Sequence, residues 1–211
     1  MKSIFVTLSL LVSAALARPT GTQSGPDVNE VYFENVVYGG SGCPVSPPSA
    51  SVIMADDKQS FTVIFDQFTA RIGQGTSLSD RRKNCQLNIK VHIPGGWQFS
   101  IASTNYRGFF LADKGVTGHQ QSIYYFQGDD HTTITQGTIQ GPAQKNYNIL
   151  DQIALESTSW SPCGEDRPMN INTAIFLTST NPNANGELTT DSIDGKVVQK
   201  YQFQWQQCNS P

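Results

Sequence analysis

The chain has 211 residues, of which 15% are charged, and its 14 basic and 17 acidic side chains give a net charge of −3. This mild negative charge provides no electrostatic footprint for nucleic acid or for an anionic membrane surface, so we expect neither as a partner. The length suits a single domain with a full hydrophobic core.

The first residues have the pattern of a secretory signal peptide, which we predict over residues 1–17. A positive start at Lys2 is followed by an apolar run over residues 4–12, and Ala15 and Ala17 are small residues of the kind that signal peptidase recognises. The apolar run is shorter than the roughly 20 residues of a transmembrane helix. We therefore predict cleavage after Ala17 and a secreted, extracellular protein.

The mature chain is predicted to begin with a flexible segment over residues 18–30, because RPTGTQSGPDVNE is polar and rich in Pro and Gly. A single domain is predicted over residues 31–211, opening with an edge strand at 31–33. The glycine-dense stretch that follows is predicted to be a tight turn that presents Cys43 to a partner.

Two further strands are predicted at 51–54 and 60–68, and a polar crossing loop at 71–84 follows them. This loop contains the basic run Arg81-Arg82-Lys83. Three charges attract a partner only weakly at physiological salt, so we expect a solvated loop here.

The clearest pattern is CQLNIKVHIPGGWQFSI, at residues 85–101. Apolar residues occupy alternate positions from Cys85 to Ile93 and again from Trp97 to Ile101, with a Pro-Gly-Gly break between the two runs. Period-two alternation is typical of a strand with one dry and one wet face. We predict a β-hairpin whose apolar face lies inside the protein.

The rest of the chain continues in short alternating segments. A final hairpin is predicted around Asp194-Gly195, because Asp-Gly favours tight turns between strands. No stretch of ten or more residues has helical apolar spacing. The pattern predicts an all-β, single-domain, two-sheet β-sandwich of the immunoglobulin or jelly-roll type. The later strands are predicted at 105–111, 121–126, 132–139, 147–150, 153–160, 169–177 and 196–207.

Four cysteines in a secreted chain predict two disulfides: Cys43, Cys85, Cys163 and Cys208. Three connectivities are possible, and we favour Cys43–Cys85 with Cys163–Cys208, one in each half of the chain. The spacings contain no CxxC pair, which argues against a zinc site.

Tyr124 and Tyr125 are adjacent in a predicted strand and must therefore point to opposite faces. One of them is expected at the surface, where an aromatic face can stack on a sugar ring. The polar turn that follows adds Asp129, Asp130 and His131 to this candidate ligand-binding set.

No motif in the sequence specifies a reaction, and no catalytic residue, metal ligand or cofactor is predicted. His92, His119 and His131 are the histidines from which an unrecognised catalytic site would have to be built. Glu156 is the glutamate most expected to be partly buried, as a glycosidase acid would need to be.

Several runs resemble those of a family of small secreted fungal and actinobacterial proteins classified as domain of unknown function 4360. The runs are GSGCP (40–44), FTVIFDQF (61–68), RKNCQLNI (82–89), PGGWQ (94–98), YRGF (106–109), YFQG (125–128) and WSPC (160–163). The resemblance extends from about Glu34 to Cys208. It implies a secreted β-rich domain with the two disulfides favoured above, and it implies no particular activity.

These observations together favour a binding or structural module at the cell surface or in the extracellular medium. Its expected ligand is a cell-wall glycan or an extracellular protein. The alternative is a secreted hydrolase or metal-dependent enzyme of unrecognised type.

Overall fold

The structure is a computed structural model that describes residues 25–154, 158–163, 165, 167–189 and 197–208. Twelve β-strands occupy most of this part of the chain, preceded by the 3-10 turn Val28–Glu30. The strands are β1 (Tyr32–Gly39), β2 (Ala50–Met54), β3 (Ser60–Phe65), β4 (Ala70–Ile72), β5 (Arg82–His92), β6 (Trp97–Ala112), β7 (Val116–Phe126), β8 (Thr133–Gln140), β9 (Ala143–Gln152), β10 (Met169–Ser179), β11 (Gly186–Thr189) and β12 (Val197–Gln207). The described residues include no helix that is long and apolar enough to cross a membrane.

The strands form two antiparallel sheets that enclose one hydrophobic core. Sheet 1 has the strand order β1-β5-β10-β7-β8, and sheet 2 contains β2, β3, β4, β6, β9, β11 and β12. Strands that are neighbours in a sheet are mostly distant in sequence, as when β5 pairs with both β1 and β10. The predicted all-β, two-sheet sandwich is confirmed.

Two pairs of strands in sheet 2 lie end to end in the same row. β12 pairs with β6 over residues 97–107, and β11 continues along the same edge over residues 109–112, while β9 pairs with the opposite edge. β3 and β4 are aligned in the same way, because they pair with β12 and β11 respectively. The predicted final hairpin is therefore wrong, since β11 and β12 run in one direction along β6. Its predicted tip, Asp194-Gly195, lies outside the described residues.

The alternation in the central stretch is confirmed, but the hairpin predicted there is wrong. Alternate side chains of β5 from Cys85 to Val91 are buried in sheet 1. β6 belongs instead to sheet 2, where Phe99 packs against the same core from the other side. Residues 94–96 therefore carry the chain from one sheet to the other. Gly96 has a φ of +83°, a conformation that glycine adopts without strain.

Aromatic side chains from both sheets fill the core. Phe61 stacks on Tyr201 with ring centroids 4.8 Å apart. Phe99 of sheet 2 meets Phe126 of sheet 1 edge to face, with centroids 5.2 Å apart. Burying a phenylalanine contributes about 1.5–3 kcal/mol relative to leaving it exposed. The contact between Phe99 and Phe126 therefore stabilises the packing of the two sheets against each other.

Both favoured disulfides are present. Cys43 and Cys85 connect the turn after β1 to β5, with Cα atoms 5.4 Å apart. Cys163 and Cys208 connect the segment before β10 to the end of β12, with Cα atoms 5.9 Å apart.

The described part of the predicted flexible segment packs against the domain. Gly25 is buried beside the ring of Trp205, and Pro26 is buried next to it. The side chain of Asp27 accepts a hydrogen bond of 2.9 Å from the backbone N–H of Asn29 and caps the 3-10 turn. The predicted signal peptide, residues 1–17, lies outside the described residues.

Candidate functional site

The outer face of sheet 1 carries paired amide side chains. Side chains alternate along a strand, so the buried Leu87 of β5 and Ile171 of β10 place their sequence neighbours on the outer face. Cross-strand register then brings the amides into pairs on adjacent strands. We call this set the amide face: Gln86 with Asn172, Asn88 with Asn170, and Gln121 with Gln136.

The pair at one end of this set is hydrogen-bonded. Asn88 Nδ2 donates to Asn170 Oδ1 at 2.9 Å. A side-chain amide has two N–H donors and one acceptor oxygen. The bonded pair therefore still presents Asn88 Oδ1 as an acceptor and Asn170 Nδ2 as a donor. Hydroxyl groups both donate and accept, so neighbouring groups of this kind suit a polyhydroxylated ligand.

Tyr125 lies directly opposite Asn170 in the register of β7 and β10 and is partly exposed. Tyr124 points the other way and is fully buried, with its hydroxyl donating to the carbonyl oxygen of Ile101 at 3.1 Å. Burial raises the pKa of Tyr124. The two rings face opposite ways, as their adjacency requires. A ligand on the surface can contact Tyr125 and cannot contact Tyr124.

Phe176 lies at the other end of the face, about 20 Å along β10 from Asn170. His119 stacks on its ring with centroids 4.4 Å apart and planes 4° apart. The guanidinium of Arg82, on the strand at the opposite side of β10, lies 5.2 Å from the same ring centroid. Both faces of the Phe176 ring are thus occupied, and only its edge can meet a ligand.

A second exposed ring lies beyond Asn88 along β5 and β1. Tyr32 is 47% exposed and stacks on His92 with centroids 4.7 Å apart. Glu34 binds Lys90 at 2.6 Å and lies 3.4 Å from His92 Nδ1. The hydrogen bond from Lys90 is the main cause that holds the pKa of Glu34 below its ordinary value. About half of Tyr32 is therefore accessible to a ligand.

The predicted acidic turn borders the Tyr125 end of the face. Asp129 Oδ1 accepts a hydrogen bond of 3.0 Å from the backbone N–H of His131. The carbonyl oxygen of His131 accepts from Ser159 Oγ at 3.3 Å. The side chains of Asp130 and His131 are exposed. This turn follows the end of β7 at Phe126, so it lies at the same end of sheet 1 as Tyr125.

The structure keeps His92 and His119 apart. Arg82 and His119 both lie opposite Phe176, on the two strands that flank β10. His92 is ten residues from Arg82 along β5, so it lies about 33 Å along the strands from the position of His119. Within the described ranges, no group of three or more His, Cys, Asp or Glu side chains is arranged to hold a metal ion. Glu156 lies outside the described residues.

A polar layer inside the sandwich was missed by the sequence analysis. The hydroxyl of Tyr201 lies 3.0 Å from Ser122 Oγ and donates to Gln199 Oε1 at 2.8 Å. Ser122 Oγ in turn donates to Thr173 Oγ1 at 3.0 Å, and all four side chains are fully buried. Burial raises the pKa of Tyr201, and it raises the pKa of Tyr106 in the same core to about 12. These phenols stay protonated and enclosed, so they stabilise the core and do not meet an external ligand.

The alternation of inward and outward side chains along β7 would have located part of this layer. Tyr124 and Phe126 are buried, and continuing the same alternation backwards places Ser122 and Gln120 inside as well. The polarity of these two side chains gave no sign of burial, because serine and glutamine are mostly exposed in proteins.

A family model described as Domain of unknown function (DUF4360) matches residues 29–208. The chain belongs to this DUF4360 family. The resemblance that the sequence runs indicated is therefore confirmed. This DUF4360 chain is also 45% identical over 197 residues to an uncharacterized secreted protein of Arthroderma benhamiae, a match that covers 93% of this chain and 80% of that protein.

Two solved structures have distant likeness to the DUF4360 chain. The structure of TmCBM61 in complex with β-1,4-galactotriose is 11% identical, with 83% of this chain and 90% of that chain covered and a TM-score of 0.23. A GH31 α-xylosidase from Xanthomonas citri is 10% identical, with 85% of this chain and 20% of that chain covered and a TM-score of 0.19. At these scores neither neighbour indicates a ligand or a reaction for this chain.

Proposed function

We propose that this DUF4360 protein is a secreted module that binds a cell-wall or extracellular glycan on the outer face of sheet 1. The observation that carries the proposal is the Asn88–Asn170 pair beside Tyr125. An apolar ring face and unused amide donors and acceptors lie side by side there. A pyranose has the same two features, since its C–H groups form an apolar face and its hydroxyls lie around the rim.

The dimensions of the face suit a chain of sugars. Tyr125 and the Asn88–Asn170 pair lie at one end, and the stacked Phe176 and His119 close the other end about 20 Å away. The other two amide pairs lie between these ends. A glycan would run parallel to the strands, and Tyr125 would hold the ring nearest the acidic turn, where Asp129 and Asp130 can accept from hydroxyls.

The charge of the face favours a neutral glycan. Lys90 is neutralised by Glu34, and the guanidinium of Arg82 lies over the ring of Phe176. The amide pairs between them are uncharged. A ligand there is recognised by its hydroxyls and its shape.

An extracellular location is supported by three observations. The relative from Arthroderma benhamiae is described as secreted. The two disulfides suit an oxidising compartment. The first 17 residues have the signal-peptide pattern described above.

A depletion experiment with insoluble chitin, cellulose, β-glucan and mannan tests the proposal. The purified mature protein is mixed with each polymer, and the protein left in solution is measured. We expect retention on at least one polymer. Tyr125→Ala should weaken that binding by about tenfold, as loss of an aromatic contact of about 1.5 kcal/mol predicts.

Asn148→Ala is the matched control, because Asn148 is an exposed amide on the outer face of sheet 2, paired with Arg107. It should bind like the unmodified protein, and all variants should unfold at the same temperature. Absence of retention on every polymer would overturn the proposed function. Loss of binding in Asn148→Ala but not in Tyr125→Ala would move the site to sheet 2.

A further inference from the structure

The loop between β10 and β11 forms a concave end of the sandwich. We call residues 179–185 the asparagine loop, because they read STNPNAN. Four surface cavities of about 330, 590, 260 and 440 Å³ are each lined in part by this loop or by the residue that follows it. Four concavities therefore meet at this loop, which lies beyond Phe176 and carries no residue of the amide face.

The asparagine loop is anchored by hydrogen bonds within the loop and to residues 113–115. Asn181 Oδ1 accepts from the backbone N–H of Asn183 at 3.0 Å. Asn185 N donates to Asp113 Oδ2 at 2.8 Å, and Thr180 N donates to Gly115 O at 3.0 Å. A site on this loop would be preorganised, so little conformational entropy would be lost on binding.

Arg81 lines the cavity of about 260 Å³, together with Thr180, Asn181 and Pro182. Its Nε atom is buried and has no hydrogen-bond partner among the described atoms. The backbone is fixed, because the carbonyl oxygen of Arg81 accepts from Leu177 N at 2.9 Å. A buried N–H donor without a partner costs about 1–3 kcal/mol, and more when the group is charged. Because this Nε is covered, a ligand in the cavity can meet only the terminal Nη groups of the same guanidinium.

The neighbouring acid is already engaged elsewhere. Asp80 Oδ2 accepts from the backbone N–H of Ser77 at 3.0 Å and from its hydroxyl at 2.7 Å. Asp80 Oδ1 lies 3.5 Å from Lys83 Nζ. The hydrogen bond from the Ser77 side chain is the main cause that lowers the pKa of Asp80. In the described part of the chain, the positive charge of Arg81 is therefore not neutralised by a carboxylate.

Lys114 lines the adjoining cavity of about 590 Å³, and that cavity shares Thr180 and Asn181 with the cavity of Arg81. Lys114 is exposed, and no described carboxylate pairs with it. Two cations that no described carboxylate pairs with thus line adjoining cavities on a chain whose net charge is negative, and the nearby carboxylate of Asp113 is engaged by Asn185. This local reversal of charge indicates an anionic ligand.

We propose that the asparagine loop and Arg81 form a second binding site, which takes the carboxylate of a uronic acid residue. The guanidinium would present its two terminal Nη groups as a fork that matches the two oxygens of a carboxylate. Asn181 and the neighbouring Asn183 and Asn185 offer amides to the hydroxyls of the sugar. Pro182 offers an apolar edge to its ring. This site is independent of the amide face and of its neutral ligand.

The test uses the ¹⁵N-labelled mature protein and three probes: the trimer of galacturonic acid, the neutral trimer of galactose, and sodium sulfate. The Nε–H signal of Arg81 and the amide signals of Thr180 and Asn181 are followed by NMR. We expect the acidic trimer to shift them and the neutral trimer to leave them in place. Arg81→Gln should weaken binding about ten- to a hundredfold, and Arg81→Lys by less, because lysine keeps the charge but not the fork.

Lys200→Gln is the matched charge control, since Lys200 is exposed on β12 away from this loop. It should bind the acidic trimer like the unmodified protein. Equal binding by Arg81→Gln overturns the site. Saturation by sulfate at lower concentration than by the acidic trimer shows that the pocket takes an inorganic anion, which overturns the uronic acid assignment. Shifts by the neutral trimer at the same residues show that charge is not recognised and also overturn it. Loss of glycan binding by Tyr125→Ala leaves these results unchanged, so the two proposals fail separately.

Discussion

His119 is held against Phe176 as a neutral ring. Its Nε2 lies 2.9 Å from Thr178 Oγ1, and its ring plane is nearly parallel to that of Phe176. Burial lowers the pKa of His119, because an imidazolium loses solvation in the stack. The guanidinium of Arg82 on the far side of Phe176 adds a like charge. The stack is therefore compatible with neutral His119 and is disfavoured by its protonation.

The pH dependence of the free energy of unfolding tests whether protonation of His119 disfavours its stack with Phe176. Because the pKa of His119 is lower in the folded than in the unfolded chain, the unfolded chain binds more proton there as the pH falls below about 6.5, and the free energy of unfolding falls with it. His119→Gln removes this titration and leaves the other groups in place. The free energy of unfolding of both proteins is measured by urea unfolding at pH 7.5, 6.5 and 5.5. The excess stability of the unmodified protein over the variant should decrease as the pH falls. A difference that stays constant across this range would contradict the assigned pKa shift.

At the scale of elements, the connection between β5 and β6 decides how the central alternating stretch is used. Gly95 and Gly96 both lie where an added Cβ would meet no other atom. They differ in that Gly96 has a φ of +83°. L-residues disfavour this region by roughly 1–2 kcal/mol, whereas glycine does not. The turn therefore depends on glycine at position 96 for backbone reasons alone.

Gly96→Ala should lower the free energy of unfolding by about 1–2 kcal/mol. Gly95→Ala is the matched control and should be neutral or slightly stabilising, because it reduces the entropy of the unfolded chain. Chemical unfolding of both variants measures the difference. If the two substitutions cost the same, the backbone conformation of Gly96 is not what the crossing requires.

At the scale of the whole molecule, the two disulfides close loops of similar length but differ in exposure. The bridges span 42 and 45 residues, and each is worth about 4 kcal/mol by the chain-entropy relation. Cys43 and Cys85 are fully buried, whereas Cys163 is exposed. Reduction requires a thiolate or phosphine to reach a sulfur atom. The second bridge can be reached in the folded protein, and the first is shielded until the core opens.

Limited reduction of the native protein should therefore open Cys163–Cys208 first. Free thiols are alkylated at intervals and located by peptide mapping. Alkylation of Cys163 and Cys208 should precede that of Cys43 and Cys85 by a wide margin, and the difference should vanish in denaturant. Simultaneous reduction under native conditions would show that exposure does not control access to the bridges.

The candidate sites depend on how distant strands pair, so only part of each site could be predicted from the sequence. Sequence reasoning selected the adjacent Tyr124 and Tyr125 and the turn with Asp129; Tyr124 is buried, whereas Tyr125 lies opposite Asn170. It did not select Asn88 or Asn170, because these residues are 82 positions apart in sequence and meet only through the pairing of β5 with β10. It treated Arg81 as part of a solvated basic run, since one sequence does not reveal that its Nε is enclosed.

The sequence by itself determined the strand alternation, the sandwich class and the family, and it favoured the observed cysteine pairing among three possible connectivities. Side-chain alternation with period two is a local property, and it records which face of each strand is dry. Only the tertiary structure decided which strands are neighbours, because ladder hydrogen bonds use backbone groups that every residue carries alike. This pairing of strands placed β5 and β6 in different sheets, aligned β11 with β12 along one edge of β6, and buried Ser122 beside Tyr201. It also joined four distant strands into one amide-bearing face.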